Sequence, residues 1–359
     1  MKIYTITCSN AYNYGAVLQA YALQQYLIGN GNVVEIIDYY PPYLRKISEK
    51  YRKNYFLRLI RSILYFPDYL MSKRVFEKFK QEYLITTSKC YSKNDIDKLE
   101  KADLYIVGSD QVWNPNMENG RDENYFLNFN GINKMSYAAS IACYDLIDQY
   151  KANFKAYLKD YSLVTVRERQ NVQTLKNIGI ESEYVLDPVY LLSKTEWKKL
   201  CKIEYTEKYV LVYALHHIQE IYNYAKELAK SIDAKVYVIN VEIKEKLRGN
   251  DKFFWNPDVN TFLSLIDNCE AIVSNSFHGI SFGLIFEKPV HIFDTEKNDL
   301  RIKNIVEIFN LENRLIDLEY PNILDNSIQV EGQKIIGEEA KRSKQILLNG
   351  INEVCKRNE

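Results

Sequence analysis

The stretch 268–293, NCEAIVSNSFHGISFGLIFEKPVHIF, limits the fold of this chain more than any other. An apolar run at 271–273 stops at Ser274-Asn275-Ser276, and a helix-compatible pattern follows over 279–286. Lys288-Pro289 ends that helix, and 290–293 reads as another short strand. Strand, polar turn, helix, strand is the unit from which parallel sheets are built. Ligands of such sheets bind where a strand's carboxyl end gives way to a helix N-terminus, because free backbone N–H groups there favour anions. His278 stands at that junction with two hydroxyls and an amide beside it, which makes it the leading site candidate. Taken alone, the same residues also describe a capped helix with a structural histidine.

The pattern recurs from the start of the chain. Residues 2–7 alternate as a strand, CSNAYNYG at 8–15 is its turn, and 16–28 reads as a helix stopped by Gly29-Asn30-Gly31 before a strand at 33–38. This βαβ unit lacks GxGxxG, so it carries no dinucleotide fingerprint. Asn13 and Gly15 either line a ligand pocket or merely release the chain into the helix. A strand at 104–107 leads into GSDQVWNP at 108–115, where Asp110 can accept from sugar hydroxyls and Trp113 can stack on a ring. A solvated turn with a buried tryptophan accounts for it equally.

A strand and turn at 135–142 and a strand at 161–166 follow, the second ending at Arg167-Glu168-Arg169 ahead of a helix to about 177. Arg167 can make a forked contact with carboxylate or phosphate, or an ion pair with Glu168 or another acid. Residues 184–186 run into Asp187-Pro188, and the polar segment 193–208 marks a boundary. Beyond it come a strand at 209–214, a helix over 218–231, a strand at 235–241, and a helix opened by Asn256-Pro257-Asp258 with Pro257 in its first turn. Helices at 301–309 and 334–348 complete the series.

A chain of 359 residues exceeds one core and implies two domains. The expected fold class is α/β: an N-terminal domain over 1–195 with a basic aromatic helical insertion near 41–90, a C-terminal domain over 205–325, and a helix in 326–359 that packs back on the first. Lys plus Arg and Asp plus Glu each number 47, which argues against a generally basic nucleic-acid binder. The 30 tyrosines suit a carbohydrate-contacting surface. Six cysteines without CxxC pairing read as reduced thiols, and His216-His217, His278 and His291 lack metal-ligand spacing. Asp95-Ile-Asp97 spells DxD, but within KNDIDKLEKAD it reads as a helix start capped by Asn94 or Asp95. Residues 45–80 carry eleven Lys or Arg against three Asp or Glu among large apolar side chains, which suits either an anionic membrane surface or packing on the protein itself. No secretory signal opens the sequence and no apolar run spans a bilayer, so the expected location is cytoplasmic, with peripheral contact at the inner membrane face as its extension.

Six ordered motifs together resemble the polysaccharide pyruvyl transferase family: NYGAVLQAYAL at 13–23, GSDQVWN at 108–114, VRER at 166–169, DPVYLL at 187–192, NSFHGISFGLIFEKP at 275–289 and RIKNI at 301–305. The resemblance implies two Rossmann-like domains in a B-type glycosyltransferase (GT-B-like) arrangement facing a central cleft. It implies phosphoenolpyruvate as donor substrate and a glycan, often lipid-linked, as acceptor; such chemistry formally requires no metal, and no cofactor is expected. Some members carry Arg-Leu-His where this chain has Ser276-Phe277-His278, so the donor's cation must come from Arg301, Lys288 or Arg167, or the donor differs.

Ketal formation from phosphoenolpyruvate needs a proton for the methylene carbon, attack by a sugar hydroxyl, loss of phosphate and closure by a second hydroxyl. His278 is assigned to proton transfer or phosphate contact, since a helix N-terminus orients an anion and also depresses an imidazole's pKa. Arg167 and Arg301 are the expected anion clamps, with Ser276, Gly279 and Lys288 completing the donor side. Asp110, or else Glu168, would orient or deprotonate the acceptor hydroxyl, with Asn13, Gly15 and Trp113 shaping its pocket. The competing expectations are a sugar-nucleotide glycosyltransferase and a non-catalytic glycan-binding scaffold.

Overall fold

The computed structural model describes residues 1–45, 55–129, 133–146, 148–215, 218–243, 252–294, 299–317, 323–325, 327–328 and 330–358. Two compact units emerge, each discontinuous in sequence. The first holds Met1–Ile47, Lys80–Leu192 and Gly337–Glu359; the second holds Ser48–Phe79 and Ser193–Ile336.

In chain order the first part runs β1 (Lys2–Ile6), α1 (Tyr14–Gly29), β2 (Val33–Ile36), α2 (Tyr55–Tyr83), α3 (Lys93–Asp97), β3 (Leu104–Val107), β4 (Lys134–Ser136), α4 (Asp148–Leu158), β5 (Thr165–Val166), α5 (Arg169–Lys176) and β6 (Glu183–Tyr184). Its strands pair in parallel as β2-β1-β3-β4, and bridges Met135↔Leu163 and Ala139↔Val166 set the β5-β6 pair beside β4. All four residues of β3 are buried, which is why the strand is an unbroken apolar run rather than an alternating one.

The second part runs α6 (Lys194–Lys198), β7 (Tyr209–Tyr213), α7 (Gln219–Ser231), β8 (Lys235–Asn240), β9 (Lys252–Trp255), α8 (Val259–Asn268), β10 (Ala271–Ser274), α9 (Phe277–Ile285), β11 (Val290–Phe293), α10 (Leu300–Ile308), β12 (Leu315–Ile316) and α11 (Val330–Asn358). The six strands are parallel in the order β12-β11-β10-β7-β8-β9. Counted from the first strand of the unit, that is 3-2-1-4-5-6, the doubly wound order of a Rossmann fold. Helix α9 lies close on this sheet because Gly283 has no side chain: a Cβ there would stand 2.6 Å from Ile272 Cγ2 and 2.8 Å from Val290 Cγ1.

Several expectations change in detail. The insertion near 41–90 groups mainly with the second unit, because Asp68 accepts from Trp255 Nε1 (2.8 Å) and Ile243 N (3.1 Å) while Ser72 Oγ donates to Asn256 Oδ1 (2.9 Å). It contains one long helix, α2, with Pro67 inside it. Residues 46–54 and the side chains of 55–65, which carry much of the basic aromatic signal, lie outside the described residues, as do His216 and His217. Pro257 precedes α8 rather than entering it, since Asp258 is the N-cap and accepts from Thr261 N at 2.7 Å. Helix α4 and strand β9 were not expected from the sequence. The first buries only Phe154 and Leu158, and the second is a partly exposed edge strand, so each carries a weak hydrophobic period.

Candidate functional site

In a doubly wound sheet, neighbouring crossovers leave to opposite faces at one point, and a crevice opens there beyond the strands' carboxyl ends. In the second unit that point lies between β7 and β10. Ser274 Oγ donates to Tyr213 O (2.6 Å) and Leu215 N donates to Asn275 Oδ1 (2.9 Å), tying the two strand ends together. Ser276 caps α9 by accepting from Gly279 N at 3.4 Å. His278 follows in the first turn, half-buried, with the Phe277 ring edge-on at 5.0 Å. Ser276, His278 and Gly279 therefore share the ligand edge of the sheet.

Arg301 reaches the same edge from a different element. It lies in the first turn of α10, after β11, and its Nε and Nη2 pair with the two carboxylate oxygens of Asp299 at 2.9 and 2.6 Å. An anion at this cation must share it with Asp299. Lys288 is not part of this group. It follows the C-terminus of α9 and precedes β11, so it lies at the opposite edge, separated from His278 by a helix of nine residues, about 13 Å long. Helices in this fold run antiparallel to the strands, and a residue that ends the helix cannot serve the edge where it begins.

The first unit has its own switch point between β1 and β3. Thr7 Oγ1 donates to Ser109 O (2.7 Å) across it. Asp110 follows Ser109 in a left-handed backbone conformation, φ +70°, which costs a non-glycine residue about 1 kcal/mol. Its carbonyl accepts from Val112 N (2.7 Å) and Ser140 N (3.1 Å), and its Oδ1 accepts from Gln111 N (2.9 Å). Asn13 is the N-cap of α1, accepting from Gly15 N (2.8 Å) and Ala16 N (3.4 Å), and Gly15 is buried in the first turn. Cys8 is beside this edge, but burial and the charge of Asp110 push its thiol up, which suppresses the nucleophilic thiolate.

Two sequence assignments change here. Trp113 is fully buried: its Nε1 donates to Tyr125 O (2.9 Å), its ring stacks on Phe126, and Phe154 and Tyr161 meet it edge-on. It is a core residue and has no face for a sugar. Arg167 is 2 % exposed and is not an open anion clamp. Its Nη1 bonds Asp187 Oδ2 (2.9 Å) and its Nε bonds Glu168 Oε1 (3.2 Å). Burial alone would depress the guanidinium's pKa, but the two carboxylates outweigh it and push it up, so the charge is fixed. Glu168 is fully buried and also accepts from Ser140 Oγ (2.6 Å) and Ile141 N (3.3 Å), which removes it as an acceptor-facing base.

The family match covers most of the chain. The polysaccharide pyruvyl transferase model matches residues 13–297. This chain belongs to that family. No curated protein sequence matches it. Among solved structures, the UDP-GlcNAc 2-epimerase of Methanocaldococcus jannaschii is 14 % identical with TM-score 0.52, over 98 % of this chain and 100 % of that one. The Neisseria meningitidis UDP-GlcNAc 2-epimerase is 13 % identical with TM-score 0.52, again over 98 % and 100 %. The Rickettsia bellii UDP-N-acetylglucosamine 2-epimerase is 11 % identical with TM-score 0.51, over 99 % and 98 %. These likenesses show a shared two-domain α/β fold of the GT-B type.

Within this pyruvyl transferase family member, Ser276 has a structural duty that an arginine could not perform, because it is the α9 cap. The residues that sequence reasoning overlooked are Ser109, Ser140 and Asp187, which sit inside or beside recognised motifs but show their partners only in three dimensions. A second buried cluster was also overlooked: Lys80 Nζ donates to Asn10 Oδ1 and to Asp38 Oδ1 (3.2 Å) at the ends of β1 and β2. The DxD carboxylate Asp95 is the third residue of its helix, after N-cap Ser92, and accepts from Tyr91 N and Ser92 Oγ, both at 3.0 Å. Among the described residues no group of three or more His, Cys, Asp or Glu is placed to hold a metal ion, and no helix is long and apolar enough to cross a membrane.

Proposed function

We propose that this enzyme transfers the pyruvyl group of phosphoenolpyruvate to two hydroxyls of a sugar in a surface polysaccharide or its lipid-linked precursor, forming a ketal. The observation that carries the reading is that His278 and Arg301 both stand at the carboxyl-end edge of the second unit's sheet, in the first turns of two helices beside its switch point. Phosphoenolpyruvate presents a carboxylate and a phosphate, and helix N-termini with a guanidinium are suited to both. His278 would give the methylene carbon its proton as the first sugar hydroxyl attacks the neighbouring carbon. Phosphate departs and the second hydroxyl closes the ketal. Of the two hydroxyl protons, one ends on the new methyl group and the other on phosphate. Asp110 is assigned to orient the acceptor hydroxyl. This action requires no cofactor, and synthesis inside the cell with peripheral contact at the inner membrane face completes the reading.

A sugar nucleotide as donor is the second reading, favoured by the 3-2-1-4-5-6 strand order, whose switch point takes nucleotides in other proteins. Against it, the segment after β7, ALHHI at 214–218, contains no glycine to bring backbone close to a diphosphate. Phosphate release from phosphoenolpyruvate is measured with a panel of oligosaccharide acceptors, each glycan then weighed for the added pyruvyl mass. Acceptor-dependent release with the mass gain is expected; transfer from a sugar nucleotide with no response to phosphoenolpyruvate replaces the first reading by the second.

A further inference from the structure

Arg167, buried in the first unit, stands at the centre of a hydrogen-bonded network around Asp110. Arg167 binds two carboxylates, and each carboxylate binds a serine that grips the backbone around Asp110. On one arm, Asp187 Oδ2 accepts from Arg167 Nη1 (2.9 Å) and from Ser109 Oγ (2.8 Å), and Ser109 immediately precedes Asp110. On the other, Glu168 Oε1 accepts from Arg167 Nε (3.2 Å) and from Ser140 Oγ (2.6 Å), and Ser140 N donates to the Asp110 carbonyl (3.1 Å). Ser109 is held at its carbonyl as well, by Thr7 Oγ1 (2.7 Å), which itself accepts from Gln19 Nε2 (2.8 Å).

Arg167, Glu168, Asp187, Ser109 and Ser140 are all essentially buried. One cation faces two anions there, so the hydroxyl and backbone donors are needed to satisfy the excess negative charge. The hydrogen bonds on both sides of Arg167 join these side chains into one network. Its two arms converge on the one residue of this loop that adopts a strained left-handed backbone.

We infer that Ser109 and Asp187 are positioning residues that, through the Arg167 network, hold Asp110 in its left-handed conformation and so aim its carboxylate at the acceptor hydroxyl. The role in catalysis rests on the proposed function; the backbone claim does not. Misplacing a reacting group by an ångström costs about a hundredfold in rate, so loss of one arm is read as a fall in kcat rather than a loss of folding.

The test compares the full-length wild type with Ser109→Ala, Ser109→Thr, Asp110→Asn and the Ser109→Ala/Asp110→Asn double variant. Expected are a fall in kcat of roughly ten- to a hundredfold for Ser109→Ala, recovery with Ser109→Thr, and no further loss when Ser109→Ala is added to Asp110→Asn. Losses that multiply in the double variant overturn the inference, because Ser109 would then act independently of Asp110. The second readout is a crystal structure of Ser109→Ala. Residue 110 leaving the left-handed region is the expected result, and an unchanged φ overturns the inference even if no acceptor is found. Absence of pyruvyl transfer by the wild type to any glycan would instead defeat the proposed function while leaving the backbone measurement decisive.

Discussion

Replacing Gly279 by alanine puts one methyl group into the tightest contact of the candidate donor site. The new Cβ would lie 2.5 Å from Ser274 Oγ and 2.8 Å from Tyr213 Cδ1. Ser274 Oγ cannot retreat freely, because it donates to Tyr213 O (2.6 Å) and accepts from Ser276 N (3.0 Å). Alanine gains about 1 kcal/mol over glycine within a helix, whereas overpacking a filled interior costs about 1–3 kcal/mol. With Ser274 held by two hydrogen bonds and the Tyr213 ring buried against Phe262, the upper half of that range applies, for a net loss of about 1–2 kcal/mol. At roughly 2–4 °C per kcal/mol for a domain of 150–250 residues, thermal unfolding should fall by about 2–8 °C. Phosphoenolpyruvate binding should weaken as well, since α9 must shift away from β10 to make room and carries His278 with it. Differential scanning calorimetry together with titration of phosphoenolpyruvate measures both effects. A Gly279→Ala protein that melts at or above the wild-type temperature refutes the close approach of helix and strand.

Three further expectations follow from the corrected side-chain placements. Trp113→Ala should destabilise the protein by about 3–5 kcal/mol in urea unfolding, while Trp113→Phe keeps the wild-type acceptor KM; a selective rise in that KM would return Trp113 to the sugar site. Arg167→Ala leaves Glu168 and Asp187 buried without their cation and should cost about 3–5 kcal/mol, with any folded fraction retaining its affinity for phosphoenolpyruvate. Burial pushes the thiols of Cys90 and Cys143 up to about 11 and that of Cys201 to about 12, from an ordinary 9.0. The native state then holds protons that the unfolded chain releases, so this stabilisation is complete below about pH 9 and is lost as pH rises through about 11 to 12. Urea midpoints should decline along that alkaline limb, and replacing the three cysteines by serine should flatten the decline; an identical slope in that variant would assign it to other groups.

The two-unit parallel architecture was legible because each crossover carries its own punctuation. Asn13 before α1, Ser276 before α9 and the Gly29-Asn30-Gly31 stop are local signals that need no tertiary knowledge. Burial was not legible. Arg167 at a strand end and Arg301 at a helix start look alike in sequence, yet one is enclosed by two carboxylates and the other remains on the ligand edge. Trp113 lies in a polar loop, but the aromatic rings that enclose it come from residues 126, 154 and 161, distant in sequence. Lys288 was misassigned because nearness along the chain was read as nearness in space, and one helix length separates the two. Asp110 is the intermediate case: the motif marked it, while its left-handed backbone and the network behind it depend on Ser140 and Asp187, which arrive 30 and 77 residues later.

The pairing of β7 with β10 has a bearing on how the enzyme is made. These two strands form the centre of the second sheet, yet Val210 finds Ala271 only after two intervening strands and helices have been synthesised. Long loops cost little extra free energy to close, but non-local contacts slow folding. Until residue 271 is made, β7, α7 and β8 are present without the strand that links them to β11 and β12, and without Ser276, His278 and Arg301. Arrival of the strand that joins the two halves of the sheet and arrival of His278 thus coincide, and α11, whose Leu347, Ile351 and Val354 enter the core of the first unit, is made later still.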